Sequence, residues 1–262
     1  MKTIYAGLPF YYYSIEQERR RSNSNLGFYC TRVAFPPFFI CSDVGDSPTS
    51  YTFTLISLNG LANIDVTNYF IPTIIELDTY YYLVYSQEAL STPLPYGSFY
   101  LQYEDDTGVN AVSEAFTVVN TLSGTWIKIE ASNTNDLGDI LYATGGFESV
   151  YLLNTQVNYP ASETVEVGEE KDGEFIAEKL VTKHIYRIST YVNRAMQRCL
   201  LRLPQHDSIT ITDDVGNIYT PSVGNMQIIT DWPSFDVAHV VIQFNDGENT
   251  AFKWTYDMSN IT

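Results

Sequence analysis

Leu94-Pro95-Tyr96-Gly97-Ser98-Phe99-Tyr100-Leu101-Gln102-Tyr103 sets the reading of the whole chain. A Pro-x-Gly turn leads into residues that alternate, with Phe99, Leu101 and Tyr103 on one side and Ser98, Tyr100 and Gln102 on the other. That period of two, rich in aromatics, belongs to a strand with one face in a core. Asp105-Asp106-Thr107-Gly108 then marks a turn, and Ser113 to Val118 reads as a returning strand. Together they resemble the last hairpin of an immunoglobulin-like or fibronectin-like module. Working outward, Tyr51 to Ile56, Thr73 to Leu77, Thr79 to Tyr85 and Glu114 to Val119 continue the series, punctuated by Asn59-Gly60 and Pro93. Short strands with a turn roughly every 8–12 residues predict a β-sandwich.

The fold class expected is mainly β, with two β-sandwich or Ig-like modules and one amphipathic helix in the second. Residues 1–26 read as an N-terminal arm, 27–120 as an acidic Ig-like sandwich, and 121–262 as a second β-rich module. In the second module Thr125 to Glu130, Ile140 to Thr144 and Ser149 to Asn154 read as strands. Glu163 to Glu178 reads as an acidic link that turns at Val167 to Gly173, and Thr182 to Ser189 as a further strand. The helix is expected over about residues 190–203. Thr190 would cap it, Tyr191, Val192, Ala195, Met196, Cys199, Leu200 and Leu203 would form its apolar face, and Pro204 would end it. Ser208 to Thr212, Ile218-Tyr219, Ala238 to Phe244 with Asn245-Asp246-Gly247, and Phe252 to Tyr256 return to strand.

Charge and composition exclude whole classes of function. The 14 Lys+Arg against 31 Asp+Glu give a formal charge of −17, a field that repels polyanions, so no nucleic-acid partner is expected. Between Val33 and Ile127 there is no basic residue but there are ten acids, expected as a solvated, edge-protecting surface or a face for a basic partner. Their spacing matches no EF-hand, so no metal is expected. The first ten residues carry one Lys, and no apolar run of about 7–15 residues follows, so no secretory signal is expected. The apolar stretch Tyr80 to Tyr85 falls far short of the roughly 18 residues a membrane helix needs, so no membrane partner is expected either. Cys30, Cys41 and Cys199 read as reduced, buried thiols of a protein made in a cytoplasm, although Cys30 and Cys41 lie within reach across a hairpin.

No catalytic residue and no cofactor are expected. His206-Asp207 lies in a turn, His184 and His239 lie in strand patterns, and no G-x-S-x-G elbow accompanies them. Asp105-Asp106, Asp213-Asp214 and Glu169-Glu170 are neighbours in turns. A carboxylate pair for glycoside hydrolysis must instead span a cleft, roughly 5–10 Å apart. The remaining signal is interfacial. Arg194, Arg198 and Arg202 recur at i, i+4 and i+8 as a basic ridge, paired with the chain's own acids or with another subunit's. The 21 tyrosines include Tyr11-Tyr12-Tyr13 and Tyr80-Tyr81-Tyr82, which put phenols on both faces of an extended segment. If one face is core, the other is exposed or meets another chain. Arg194, Arg198, Arg202, Tyr11, Tyr12 and Tyr13 are therefore the candidate interface residues, and Arg19 to Arg21 extend the arm that reaches a neighbour.

Trp126 to Tyr142 (WIKIEASNTNDLGDILY), Gly146 to Thr155, Val167 to Ile176, the helix, and Leu203 to Thr212 resemble a module in virion structural proteins of tailed phages of Bacteroidetes, crAss-like phages included. The resemblance covers roughly residues 120–250, and residues 50–119 are similar to Ig-like domains that precede this module. It implies a non-enzymatic virion component of the tail or head–tail neck, working as a multi-copy ring or shell. Its expected partners are copies of itself and neighbouring virion proteins, and it would be made in the host cytoplasm and located in the virion. The resemblance transfers no active-site residue. The alternative reading is a receptor- or glycan-binding module at a phage tail tip or cell surface.

Overall fold

The computed structural model describes residues 3–12, 26–42, 47–77, 80–86, 89–121, 125–171, 174–221, 224–233, 236–245 and 251–253, and the chain is mainly β. Strands β1 (Phe10–Tyr12), β2 (Tyr29–Thr31), β3 (Phe38–Ser42), β4 (Tyr51–Ser57) and β5 (Ile64–Asp65) come first. They are followed by β6 (Thr73–Leu77), β7 (Tyr80–Tyr85), β8 (Gly97–Asp105), β9 (Asn110–Ser113) and β10 (Phe116–Val119). Next are β11 (Trp126–Ser132), a short helix α1 (Tyr142–Gly145), β12 (Ser149–Asn154), β13 (Val157–Lys171), β14 (Glu174–Asn193) and helix α2 (Arg194–Leu200). After these come β15 (Ser208–Thr212), β16 (Ile218–Tyr219), β17 (Met226–Asp231), β18 (Val237–Asn245) and β19 (Ala251–Lys253).

The segment that opened the sequence reading is the spine of a seven-stranded sheet. One edge of β8 pairs with β4 from Phe99 to Asp105, and the other is shared end to end by β10 at Gly97–Phe99 and β9 at Gln102–Glu104. Phe99, Leu101 and Tyr103 are fully buried, as their alternation predicts. Strand β1 adds to β9, β2 adds in parallel to β10, and β5 hangs on β4. Beside this sheet lie a three-stranded sheet (β3-β7-β6), a four-stranded one (β12-β11-β15-β16) and a five-stranded one (β13-β14-β18-β17, with β19 on β14).

The three-stranded sheet is covered on both faces. Phe38, Ile40, Tyr81, Leu83 and Tyr85 join the core with the seven-stranded sheet, where Phe38 meets Phe53 at 5.7 Å and stacks on Tyr85 at 5.1 Å. Phe39, Cys41, Tyr82 and Val84 point the other way, onto Ile4, Ala6, Ile140, Tyr142 and Phe147. Tyr81 and Tyr82, expected to place one phenol in the core and the other outside, are therefore both buried in the same chain, while Tyr80 stays half exposed. The larger hydrophobic cluster continues without a break across residue 120, through Ile127, Ile129, Tyr151 and Leu153 to Phe244.

Residues 3–12, read above as part of an arm, run inside the chain. Ile4, Ala6, Leu8, Phe10 and Tyr11 are buried, the Leu8 N–H donates to the Pro37 carbonyl at 3.0 Å, and the Gly7 N–H donates to the Tyr151 hydroxyl at 3.3 Å. Arg19 to Arg21 and Tyr13 lie outside the described residues, as do Asp246-Gly247 and residues 254–256.

Three elements differ from the sequence reading. Thr190 does not cap the helix. The β14 ladder with β18 holds residues 190–193 extended as far as Asn193↔Val237, and the Asn193 side chain takes the Met196 N–H at 2.8 Å as the true cap. The helix ends at Leu200, and Leu203–Gln205 forms a 3-10 turn. Ile140 to Thr144 is a tight turn into α1 rather than a strand, because Asp136 accepts the N–H groups of Ala143 (2.8 Å) and Thr144 (3.0 Å) from outside the helix. The acidic link is two long paired strands, with Glu163 registered opposite Lys183 and Lys171 opposite Glu174. A bulge between Asn158 and Ala161 accommodates Pro160, which has no N–H for the ladder.

Gly7 sits at φ +65° with the Pro37 carbonyl oxygen only 1.9 Å from where a Cβ would stand. Gly7→Ala is expected to destabilise the protein by about 3 kcal/mol or more, since neither backbone can yield. Gly108→Ala, at φ +88° with nothing near its Cβ position, is expected to lose only about 1 kcal/mol. Urea unfolding midpoints of the two variants check the difference.

Candidate functional site

The five-stranded sheet gathers tyrosine, histidine, serine and arginine side chains on its outer face. Along β14, Ile188, Thr190 and Val192 turn into the core, while Arg187, Ser189 and Tyr191 face solvent. Strand β18 buries Ala238, Val240, Ile242 and Phe244, which puts His239 and Val241 on the outer face. Register then aligns the outer rows Tyr191–His239–Asp231 and Ser189–Val241–Ile229 across three strands. Tyr191 stacks on His239 with centroids 4.8 Å apart, and the Ser189 hydroxyl lies 2.8 Å from the same imidazole's Nε2. Serine and histidine at that distance suit nucleophile activation, which also needs a third group to orient the imidazole. No described carboxylate is hydrogen-bonded to His239, and Asp231 instead accepts the Trp232 N–H at 2.8 Å.

The three arginines of the expected ridge diverge. Arg194 lies over the Trp232 ring at 5.4 Å, both side chains being substantially exposed. Arg198 donates to the Tyr5 hydroxyl at 2.6 Å and stacks over its ring at 4.9 Å, tying α2 to the N-terminal segment. Arg202 lies past the helix end, in the wall of a cleft of about 360 Å³ with Thr3, Asp139 and Gln205. Tyr11, expected at a contact with a neighbour, is 8% exposed inside the chain. Burial raises its phenol pKa, and the Glu114 carboxylate beside it adds to that shift. Tyr12 lies in β1, registered opposite Ala111.

A cleft that the sequence reading missed opens where three sheets meet. Its volume is about 240 Å³, and its walls include Leu26, Tyr29, Leu153, Asn154, Ser189 and Tyr191. The signal lay in Ser189-Thr190-Tyr191-Val192, whose alternation continues the strand up to Asn193, but the apolar spacing at Tyr191 and Val192 reads equally as the start of a helix face.

Of the three adjacent carboxylate pairs expected in turns, Asp105-Asp106 and Asp213-Asp214 lie in turns, whereas Glu169-Glu170 lies within β13, registered opposite Ile176 and Phe175, because the ladder with β14 runs on past it. Asp105 accepts five hydrogen bonds: from the hydroxyls of Tyr81, Tyr103 and Thr107, each at 2.7 Å, and from the N–H groups of Thr107 and Val109, each at 3.0 Å. Asp213 repeats the arrangement in the β15–β16 hairpin, taking the N–H groups of Val215 and Asn217 and the Tyr219 hydroxyl. Both turns close on a glycine at φ +88°. Burial works against ionising Asp105 and Asp213, yet these donors outweigh it and hold both carboxyls below their usual range. Asp106 is held separately by the Thr49 N–H and hydroxyl.

A buried polar chain joins α1, β12 and the 3-10 turn. His206 Nδ1 lies 3.0 Å from the Arg202 carbonyl and 3.1 Å from that of Leu203, so it carries the proton, and Nε2 accepts from the Tyr142 hydroxyl at 2.5 Å. Ser149 completes the chain at 3.2 Å from Tyr142. Burial lowers the His206 pKa and pushes the Tyr142 phenol up to about 12, so both are neutral. Cys30, Cys41 and Cys199 are buried, and none of them is in a disulfide. No group of three metal-ligating side chains and no helix long and apolar enough to cross a membrane occurs among the described residues. Comparison with protein-family models, with curated proteins and with solved structures finds no match for this chain.

Because the folded His206 pKa lies below 6.5, the unfolded chain binds the proton more readily, and the histidine's contribution to stability falls as pH drops through 6.5 toward the folded value. Unfolding midpoints measured from neutral pH to about pH 5 are expected to decline, with the decline reduced in His206→Gln. Asp105→Asn is expected to lower stability by about 2 kcal/mol through its lost charge-assisted bonds, while Asp214→Asn at the exposed second position leaves the midpoint unchanged.

Proposed function

We propose that this chain is a non-enzymatic structural subunit of a tailed-phage virion. It works by assembling with copies of itself and with neighbouring virion proteins as a ring or shell component of the tail or head–tail neck. The observation that carries the assembly reading is the outward edge of the five-stranded sheet, where Trp232 and Ile229 stand 41% and 45% exposed beside Arg194. Tryptophan and arginine dominate the energetics of protein contacts, because a flat ring and a forked cation bury large area with few rotatable bonds. Exposed strand edges and faces of this kind are normally blunted or covered. The virion assignment itself rests on the resemblance of roughly residues 120–250 to a module in virion structural proteins of tailed phages.

The mechanism is recognition by burial. Trp232 and Ile229 supply apolar area. Arg187 and Arg194 orient the contact toward an acidic surface, such as the one carrying Asp65, Glu104 and Asp106 in a stretch that has no basic residue. Such an interface joins two different patches, and closes into a ring when the rotation between copies permits.

Purified protein, alone or mixed with a virion partner, is expected to form a defined oligomer in light scattering. Arg194→Glu is expected to weaken that oligomer, more at low salt than at high, because the contact is charge-steered. Trp232→Ala is expected to weaken it at both. A monomer under all these conditions, and absence of the polypeptide from mass spectra of purified particles, would refute the reading.

A further inference from the structure

We propose that the cleft beside Tyr191 binds one neutral pyranose ring, a binding function that assembly does not require. The ladder of β13 on β14 begins at Val157↔Ile188, so from Ser189 onward that edge of β14 faces the end of β12. There the Thr155 hydroxyl bonds the Ser189 carbonyl at 2.7 Å and pins the cleft's rim. Tyr191 supplies one wall. One ring face rests on His239, yet the residue is 57% exposed and lines the cleft, so the aromatic surface is held in place and still available. The pair stays stacked without a ligand, so little ordering entropy is lost on binding.

The chemistry of the lining selects the ligand class. Leu153, Tyr29 and Leu26 give an apolar floor, and Asn154 and Ser189 give an amide and a hydroxyl. Among the described residues no charged side chain lines the cleft, although 45 of the chain's 262 residues are charged (14 basic and 31 acidic). An anionic phosphate or carboxylate would find no counter-charge there, and a cationic group no carboxylate. A sugar ring offers the matching surfaces: a C–H face for the phenol ring, and hydroxyls that both donate and accept for the amide and the serine. At about 240 Å³ the space suits a single ring rather than an extended chain.

The test is an NMR titration of the full chain with D-glucose, D-galactose, N-acetyl-D-glucosamine and L-fucose, their methyl glycosides, and D-glucuronate as the charged comparator. Saturable shifts with at least one neutral sugar are expected. Affinity should fall about tenfold in Tyr191→Ala, fall similarly in Asn154→Ala, and persist in Tyr191→Trp. Equal or tighter binding of the methyl glycoside identifies a glycan-borne ring, and binding of the free sugar alone identifies a metabolite. Failure of every neutral sugar to saturate, preference for glucuronate, or unchanged affinity in folded Tyr191→Ala and Asn154→Ala would overturn the proposal. Light scattering on the same samples keeps this result separate from assembly.

Discussion

Strand β7 is buried on both sides, and the rest of the structure depends on that constraint. A sheet with one solvated face needs one apolar row per strand, whereas a sheet between two layers needs two. Residues Tyr81 to Tyr85 supply both rows in Tyr81, Leu83 and Tyr85 against Tyr82 and Val84. One row packs on the seven-stranded sheet through Phe38, whose ring contacts those of Phe10, Phe35, Phe53, Phe70 and Tyr85. The other packs on Phe147 and Tyr142, which belong to the chain beyond residue 120. Each such side chain contributes roughly 1.5–3 kcal/mol by leaving water, more than any single surface ion pair supplies. Apolar area therefore outweighs charge in joining the two halves of the sequence.

Polar groups complete what packing begins. Where the chain turns, a carboxylate gathers the backbone N–H groups that no ladder serves, as Asp105, Asp136 and Asp213 each do. Where it passes through the interior, Tyr142, Ser149, His206 and Tyr151 pair with each other or with backbone groups. The described acids thus have more than one setting: Asp105, Asp136 and Asp213 hold turns, Glu114 is buried beside Tyr11, and Asp65, Glu104 and Asp106 stand on the exposed surface, where like charge resists indiscriminate sticking. Against that background the cleft at Tyr191, with no charged side chain among its described lining residues, and the exposed Trp232–Arg194 pair differ from the rest of the described surface.

Much of the fold was legible because burial imposes periodicity. Phe99, Leu101 and Tyr103 announce β8 by their spacing, and Asp105 to Gly108 announces its turn. Thr190 was misread because its residue type suits both a helix cap and a strand, and only the neighbouring β18 decides between them. The acidic run from Glu163 was misread for a related reason: charge alone suggests a link, whereas the backbone register of β13 on β14, which no local pattern shows, makes it a strand. The cleft as a whole was not legible in spacing, because its walls come from three distant stretches, Leu26 and Tyr29, Leu153 and Asn154, and Ser189 to Val192.

Local chemistry, then, determined that this chain is mainly β, where its sharpest turns fall, and that Asp105-Asp106 and Asp213-Asp214 sit in two of those turns. These follow from side-chain period and from the hydrogen bonds a residue makes with its own neighbours. Tertiary structure alone decided that residues 3–12 are core, that both phenols of Tyr81 and Tyr82 are internal, that three evenly spaced arginines point to three different places, and that a cleft opens beside Tyr191. Each of those outcomes depends on which distant surface covers a given face, and no local pattern encodes the identity of the layer that will lie on top of it.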